Sequence, residues 1–167
     1  MNKFFVTLAV LMGVIVLLSN YLVQFPVNYY GLNEILTYGA FSYPVAFLIT
    51  DLANRFYGKF IARKIVYFGF LIGIIFTLLF STDFADLISI RIAIGSGVAF
   101  ITAQLLDIQI FDRLRKKDWF IAPLTSSIIG SSVDTFLFFS ISFYATGLPW
   151  VTLSLGDLAV KLFVSLI

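Results

Sequence analysis

A chain of 167 residues that is 60% hydrophobic and only 12% charged, with a mean hydropathy of +1.03 and a formal net charge of +2, is not a soluble globular domain. At about 20 helical residues per crossing, its length fits about six membrane spans in one unit over residues 1–167, with nothing left for a separate soluble domain. The absence of Cys and His excludes disulfides, thiol chemistry, the commonest metal ligand and the usual proton switch near neutrality, leaving carboxylates, Arg, Lys, amides, hydroxyls and aromatic rings.

The first apolar run, from about Phe4 to Val23, follows Lys3 and imitates a signal peptide. However, Ser19-Asn20-Tyr21-Leu22-Val23 offers no small-x-small cleavage site, so it reads as a retained span closed by Pro26. Residues 24–37 carry Gln24, Asn28, Asn33 and Glu34 among aromatics and predict a wet connection with a short interfacial helix near Gly31 to Thr37. Span two, about Tyr38 to Phe56, contains Pro44. A proline deletes one backbone bond and clashes with the preceding turn, which predicts a kink or a break. Span three, about Ile61 to Phe80, places Gly69 and Gly73 for close helix packing.

After the acidic turn Ser81 to Asp86, span four covers about Leu87 to Phe111 and contains Arg91, Gln104 and Asp107. Span five, about Trp119 to Ala145, contains Ser126, Ser127, Gly130, Ser131, Asp134 and Thr135. Span six begins near Thr152, contains Asp157 and Lys161 and runs to Ile167. Sixteen residues rise about 24 Å, short of a full crossing, so the last helix is expected to be truncated or partly buried in the bundle.

Basic residues fix an expected orientation. Arg55, Lys59, Arg63 and Lys64 fall between spans two and three, and Arg113, Arg115, Lys116 and Lys117 between four and five. With Lys3, nine of the eleven basic residues sort to one face, giving six spans with both termini cytoplasmic. The fold class expected is therefore an all-α membrane protein, a six-helix transmembrane bundle.

Ionisable groups inside a span are costly, about 2.5–3.5 kcal/mol for Asp at a helix centre, and so mark candidate sites. On span two, Asp51, Asn54 and Arg55 share one helix face, with Arg55 free to snorkel towards the headgroups. Gln104 and Asp107 stand at i and i+3 on span four, where interhelical bonding is the plainer alternative to solute binding. Arg91, near the outer end of that span, is an anchor or lines an entry.

On span five, Ser127, Gly130 or Ser131 and Asp134 form a stripe, with Asp134 near the bilayer centre. Asp157 and Lys161 form an i,i+4 pair that is either a fixed internal ion pair or support for a site. Asp51, Asp107 and Asp134, from three helices, with Gln104 and Asn54 and 28 Phe and Tyr residues around them, suit a planar heterocycle with donors on one edge. Asp134 or Asp107 is also a candidate for a coupling proton.

Thr50-Asp51-Leu52-Ala53-Asn54-Arg55-Phe56-Tyr57-Gly58-Lys59, then Gln104-Leu105-Leu106-Asp107, then Ser126-Ser127-Ile128-Ile129-Gly130 with Asp134-Thr135, and finally Gly156-Asp157 with Lys161 resemble, in order and spacing, the queuosine precursor transporter family. That family is grouped with vitamin-uptake-type transporters. The resemblance runs from about Tyr43 to Lys161. It implies a multi-pass protein of the bacterial inner membrane that imports 7-cyano-7-deazaguanine or its aminomethyl analogue, precursors of a modified tRNA nucleoside. It is similar in plan to the substrate-binding subunits of energy-coupling-factor importers. Two departures stand out: many members are acidic where this chain has Arg55, and members usually continue beyond Ile167.

The expected function is thus import of a queuosine precursor through a polar intramembrane site. Asp51, Asn54, Gln104, Asp107 and Asp134 are the solute-binding candidates, and Asp157, Lys161, Ser127 and Arg91 are supporting ones. The alternative is a substrate-binding membrane subunit of an ATP-driven importer that needs partner subunits. A Gly-x-Ser-x-Gly elbow is absent as well as His and Cys, which speaks against an intramembrane enzyme. No cofactor, metal or nucleic acid is expected; the expected partners are a small planar heterocycle and the bilayer. A homo-oligomer or an energising partner stays open.

Overall fold

The structure is a computed structural model and describes residues 3–117 and 119–166. Six α-helices follow in order: α1 Lys3–Leu22, α2 Gly39–Tyr57, α3 Lys59–Phe76, α4 Leu87–Leu114, α5 Ile121–Phe143 and α6 Trp150–Ser165. No strand forms among the described residues beyond one isolated bridge between Pro26 and Thr37. Four helical segments, Lys3–Leu22, Lys59–Ser81, Leu87–Leu114 and Ile121–Phe143, are long and apolar enough to cross a membrane. The chain is a multi-pass membrane protein. Of the other two helices, α2 carries Thr50, Asp51, Asn54 and Arg55, and α6 is shorter, with 16 residues, and buries Asp157 and Lys161.

Small residues set the closest helix approach. A Cβ on Gly69 would strike Met12, one on Gly13 would meet Ile72 at 2.6 Å, and one on Gly73 would meet Val16 at 2.7 Å. That leaves α1 and α3 in backbone-close contact, as the spacing of Gly69 and Gly73 predicts. Leu8, Met12 and Val16 then pack on Ala46, Ile49 and Ala53 of α2 and on Ile65 and Val66 of α3, with Phe100 and Ile108 of α4 closing the cluster. A second apolar cluster joins Ile92 and Ala99 of α4 to Phe138, Phe139 and Phe143 of α5 and Leu153 of α6.

Three local features differ from the sequence expectations. Helix α2 runs unbroken through Pro44, which lies in its second turn, so only the carbonyl of Ala40 loses its regular donor. The basic stretch after α2 is no loop: Gly58 alone, at φ 81°, reverses the chain, and Arg55, Lys59, Arg63 and Lys64 sit on helical turns either side. A side-chain-bearing residue rarely adopts that φ, which is why a glycine stands there. The connection before α2 holds a single 3-10 turn, Leu32–Glu34, in place of a longer interfacial helix.

The acidic turn also has a structural role. Asp86 caps α4, accepting from the N–H groups of Ile88 and Ser89 at 3.1 Å each. Asn20 of α1 donates to Thr77 at 3.0 Å, tying α1 to a wide π turn, Thr77–Ser81, that closes α3. The expected end of the last helix at Ile167 lies outside the described residues.

Candidate transport site

The polar residues of α2 divide between two neighbours. Thr50 and Asn54, one turn apart, face α4: the Thr50 hydroxyl donates to Gln104 Oε1 at 2.5 Å, and Asn54 Nδ2 donates to the Ile108 carbonyl at 3.0 Å. Arg115 donates to the Asn54 side-chain oxygen at 3.0 Å and to its backbone carbonyl. Every polar group of the Asn54 side chain is thereby used to hold α2 on α4. Asp51 lies about 100° round the helix from Thr50. It faces α5, where it accepts from Ser127 at 3.2 Å and from Ser126 at 3.4 Å.

Behind Asp51 stands Asp107, fully enclosed and packed against α5 at Gly130, one turn on from the serines that hold Asp51. No described residue donates a hydrogen bond to either oxygen of Asp107, and Gln104 Nε2, on the same face of α4, is likewise unpartnered and buried. Gly130 lets α5 approach here: a Cβ at that position would lie 2.8 Å from the Phe47 ring and 3.3 Å from Asp107.

The other two buried acids share one cation. Lys161 of α6 reaches Asp134 at 2.9 Å and Asp157 at 2.5 Å, and also donates to Thr135 at 3.1 Å. Thr135 in turn donates to Asp157 at 2.7 Å. The Lys161 ammonium lies 4.9 Å from the centre of the Tyr43 ring, whose hydroxyl meets Ser96 at 3.3 Å. The i,i+4 pair that the sequence suggests is present, and Asp134 joins it from α5. One oxygen of Asp134 remains without a partner.

A cleft of about 500 Å³ runs between α2, α5 and α6 and touches both groups. Its wall contains Pro44, Phe47, Leu48 and Asp51 from α2, Ser127 and Ser131 from α5, Lys161 and Val164 from α6, and Trp119, Phe120 and Pro123 where α5 begins. That volume is in the range of small-molecule sites. Two grooves of comparable size, about 560 and 620 Å³, lie elsewhere. Their walls are almost wholly apolar, with no buried ionisable group, as expected of lipid-facing flanks. Arg55, one turn beyond Asp51, stands beside Trp119 of the cleft wall. Its guanidinium donates to the Trp119 carbonyl at 2.6 Å and lies 5.0 Å from the Trp119 ring and 5.5 Å from that of Phe111.

Of the nine candidates named from the sequence, Asp51, Ser127 and Lys161 line the cleft. Asp107 and Gln104 stand behind Asp51, and Asp134 and Asp157 stand behind Lys161. Asn54 is a helix tie. Arg91 is remote, donating twice to the Ile141 carbonyl at 2.9 and 2.7 Å and so fastening α4 to the far end of α5. Phe47 and Trp119 border the cleft without having been singled out for it, and Ser131, from the stripe named on span five, borders it too. Phe47, at i+4 before Asp51, carries the one signal that spacing offers.

The family described as "Putative vitamin uptake transporter" matches residues 37–167. A protein of Haemophilus influenzae named a probable queuosine precursor transporter is 36% identical, the alignment covering 92% of this chain and 77% of that one. The Escherichia coli protein named queuosine precursor transporter is 33% identical, with 89% of this chain and 75% of the relative covered. A Bacillus subtilis protein named a probable queuosine precursor transporter is 29% identical, with 96% and 79% covered. No solved structure matches. On these grounds, and with an all-helical membrane architecture, the chain belongs to the vitamin uptake transporter family, a family of transporters and not of enzymes.

Proposed function

We propose that this protein imports a queuosine precursor, 7-cyano-7-deazaguanine or its aminomethyl analogue, across the cytoplasmic membrane of a bacterium, with both termini on the cytoplasmic side. The relatives' names supply the solute, and the distribution of Lys and Arg supplies the orientation. The observation that carries the reading is an intramembrane cleft in which Asp51, bound only by two serine hydroxyls, faces aromatic walls.

The chemistry fits such a solute. A carboxylate accepts two parallel N–H bonds from a guanine-like edge, at about 1.5–3 kcal/mol for each charge-assisted bond. Phe47 and Trp119 offer ring faces, and stacking contributes about 1–3 kcal/mol. After the costs of association these sums correspond to roughly micromolar binding. Ser127, Ser131 and Lys161 are the further polar contacts we propose. Asp107 and Gln104 back Asp51, and Asp134 and Asp157 hold Lys161 in place.

The test is uptake of labelled 7-cyano-7-deazaguanine by cells that cannot make it. The wild-type chain restores uptake, and Asp51→Asn abolishes it at equal membrane abundance; wild-type uptake by Asp51→Asn removes the cleft from the account. Transport by the purified chain alone in liposomes excludes a binding subunit that depends on ATP-driven partners.

A further inference from the structure

We infer that the carboxyl pair Asp51–Asp107 holds the coupling proton of transport, taken up and released once per cycle, an inference that rests on the import reading above. Asp107 has no accessible surface, and neither of its oxygens receives a hydrogen bond from any described residue. Its neighbour is a second carboxyl, that of Asp51. Gln104 points to the same place: its Oε1 is pinned by Thr50, the residue before Asp51, which leaves a buried, unpartnered Nε2 on the face of α4 that carries Asp107.

Among the described residues no cation bonds to either carboxyl, and Arg55, one turn beyond Asp51, is the one guanidinium near the pair. From α2, Arg55 is drawn off to the Trp119 carbonyl. Arg115, beyond α4, is committed to Asn54, and Lys59 to Asp112 at 2.8 Å. Helix α5 presents only the hydroxyls of Ser126 and Ser127 to Asp51. Lys161 of α6 is spent on Asp134 and Asp157.

Two neighbouring carboxylates carry one more negative charge than the Arg55 guanidinium can offset, and one shared proton removes that excess. Asp134 is the poorer carrier, because the Lys161 ammonium bonded to its other oxygen favours the ionised carboxylate. Access is graded in the same sense. Asp51 lines the cleft and Asp107 does not, so a proton reaches the inner carboxyl through the outer one.

The step balances simply. An O–H bond forms on one carboxyl, with the other as acceptor, when the cleft takes a proton from the outer solution. The same bond breaks when the proton leaves to cytoplasmic water. No electrons move, and one positive charge enters with each molecule of the neutral 7-cyano-7-deazaguanine.

Two measurements test the inference. Infrared spectroscopy of the purified full chain in lipid at neutral pH shows a protonated-carboxyl C=O band that shifts in D2O, persists in Asp134→Asn and disappears in Asp51→Asn/Asp107→Asn. Absence of the band from the wild type, which needs no variant to fold, overturns the inference, as does its survival in the double variant. In liposomes with the membrane potential held at zero, labelled 7-cyano-7-deazaguanine accumulates about tenfold for each unit by which the outside is more acid, and a protonophore abolishes the accumulation. Counterflow exchange without accumulation leaves the import reading standing and sinks the proton. Failure of counterflow itself sinks the import reading, and the infrared band then decides alone whether the pair holds a proton.

Discussion

The two halves of the buried polar layer use the same residue in opposite ways. In the half built on α6, two aspartates, Asp134 and Asp157, converge on Lys161 and are bonded by it and by Thr135. In the half built on α4, two aspartates, Asp51 and Asp107, are neighbours, with serine hydroxyls the only hydrogen-bond donors to either among the described residues. The first arrangement bonds both of its carboxylates to one internal cation and fixes helix positions. The second leaves acceptors free for something that arrives from outside. A buried carboxylate in a bundle is therefore not by itself a transport residue, and whether a cation is bonded to it directly is the difference between these two halves.

The sharpest way to break this contrast is to remove the lysine. Lys161→Met leaves two buried carboxylates without their cation and is expected to cost about 3–5 kcal/mol, read as thermal or denaturant unfolding in detergent. Adding Asp134→Asn and Asp157→Asn to that variant recovers most of the loss. If Lys161→Met alone is as stable as the wild type, the paired half is no structural clamp.

Asparagine substitutions compare the halves directly. Asp134→Asn loses a charge-assisted bond and costs about 1.5–3 kcal/mol, whereas Asp107→Asn forfeits no bond from a described donor and changes stability by less than about 1 kcal/mol. Equal losses at both positions erase the distinction between them. Gly130→Ala loads the α4 half alone, because the new methyl group meets Phe47 and Asp107. We expect an overpacking cost of about 1–3 kcal/mol and weaker solute binding as Phe47 moves into the cleft. The smallest effect belongs to Arg55→Leu, which removes the contacts with Trp119 and Phe111 for about 0.5–1 kcal/mol and leaves both carboxyl groups of residues in place.

Much of this was legible in the sequence. Six helices, their order and most of their limits follow from apolar runs bounded by Pro26, the acidic turn before Leu87 and the basic stretch before Trp119. The glycine spacing on α3 foretells its contact with α1. Helical spacing foretells that Asp157 meets Lys161, because that pair is local. The arrival of Asp134 at the same lysine, and of Asp51 at Asp107, depends on how α2, α4, α5 and α6 rotate about their axes.

One sequence cannot fix those rotations, since every face of these helices carries apolar residues and the hydrophobic pattern barely distinguishes them. For the same reason Asn54 appears beside Asp51 in the sequence yet turns to α4. Arg91, conspicuous as a charge within an apolar run, only fastens helix ends. The continuity of α2 through Pro44 was hidden for a simpler cause: a proline close to a helix start forfeits little, and nothing local marks where the start falls.

The most direct test of the central claim is equilibrium binding of 7-cyano-7-deazaguanine to the purified protein in detergent, with guanine and riboflavin alongside. The account predicts roughly micromolar binding of the deazaguanine, at least about tenfold weaker binding to Asp51→Asn, and no measurable binding of riboflavin. Binding that is absent from the wild type, or unchanged in Asp51→Asn, contradicts it.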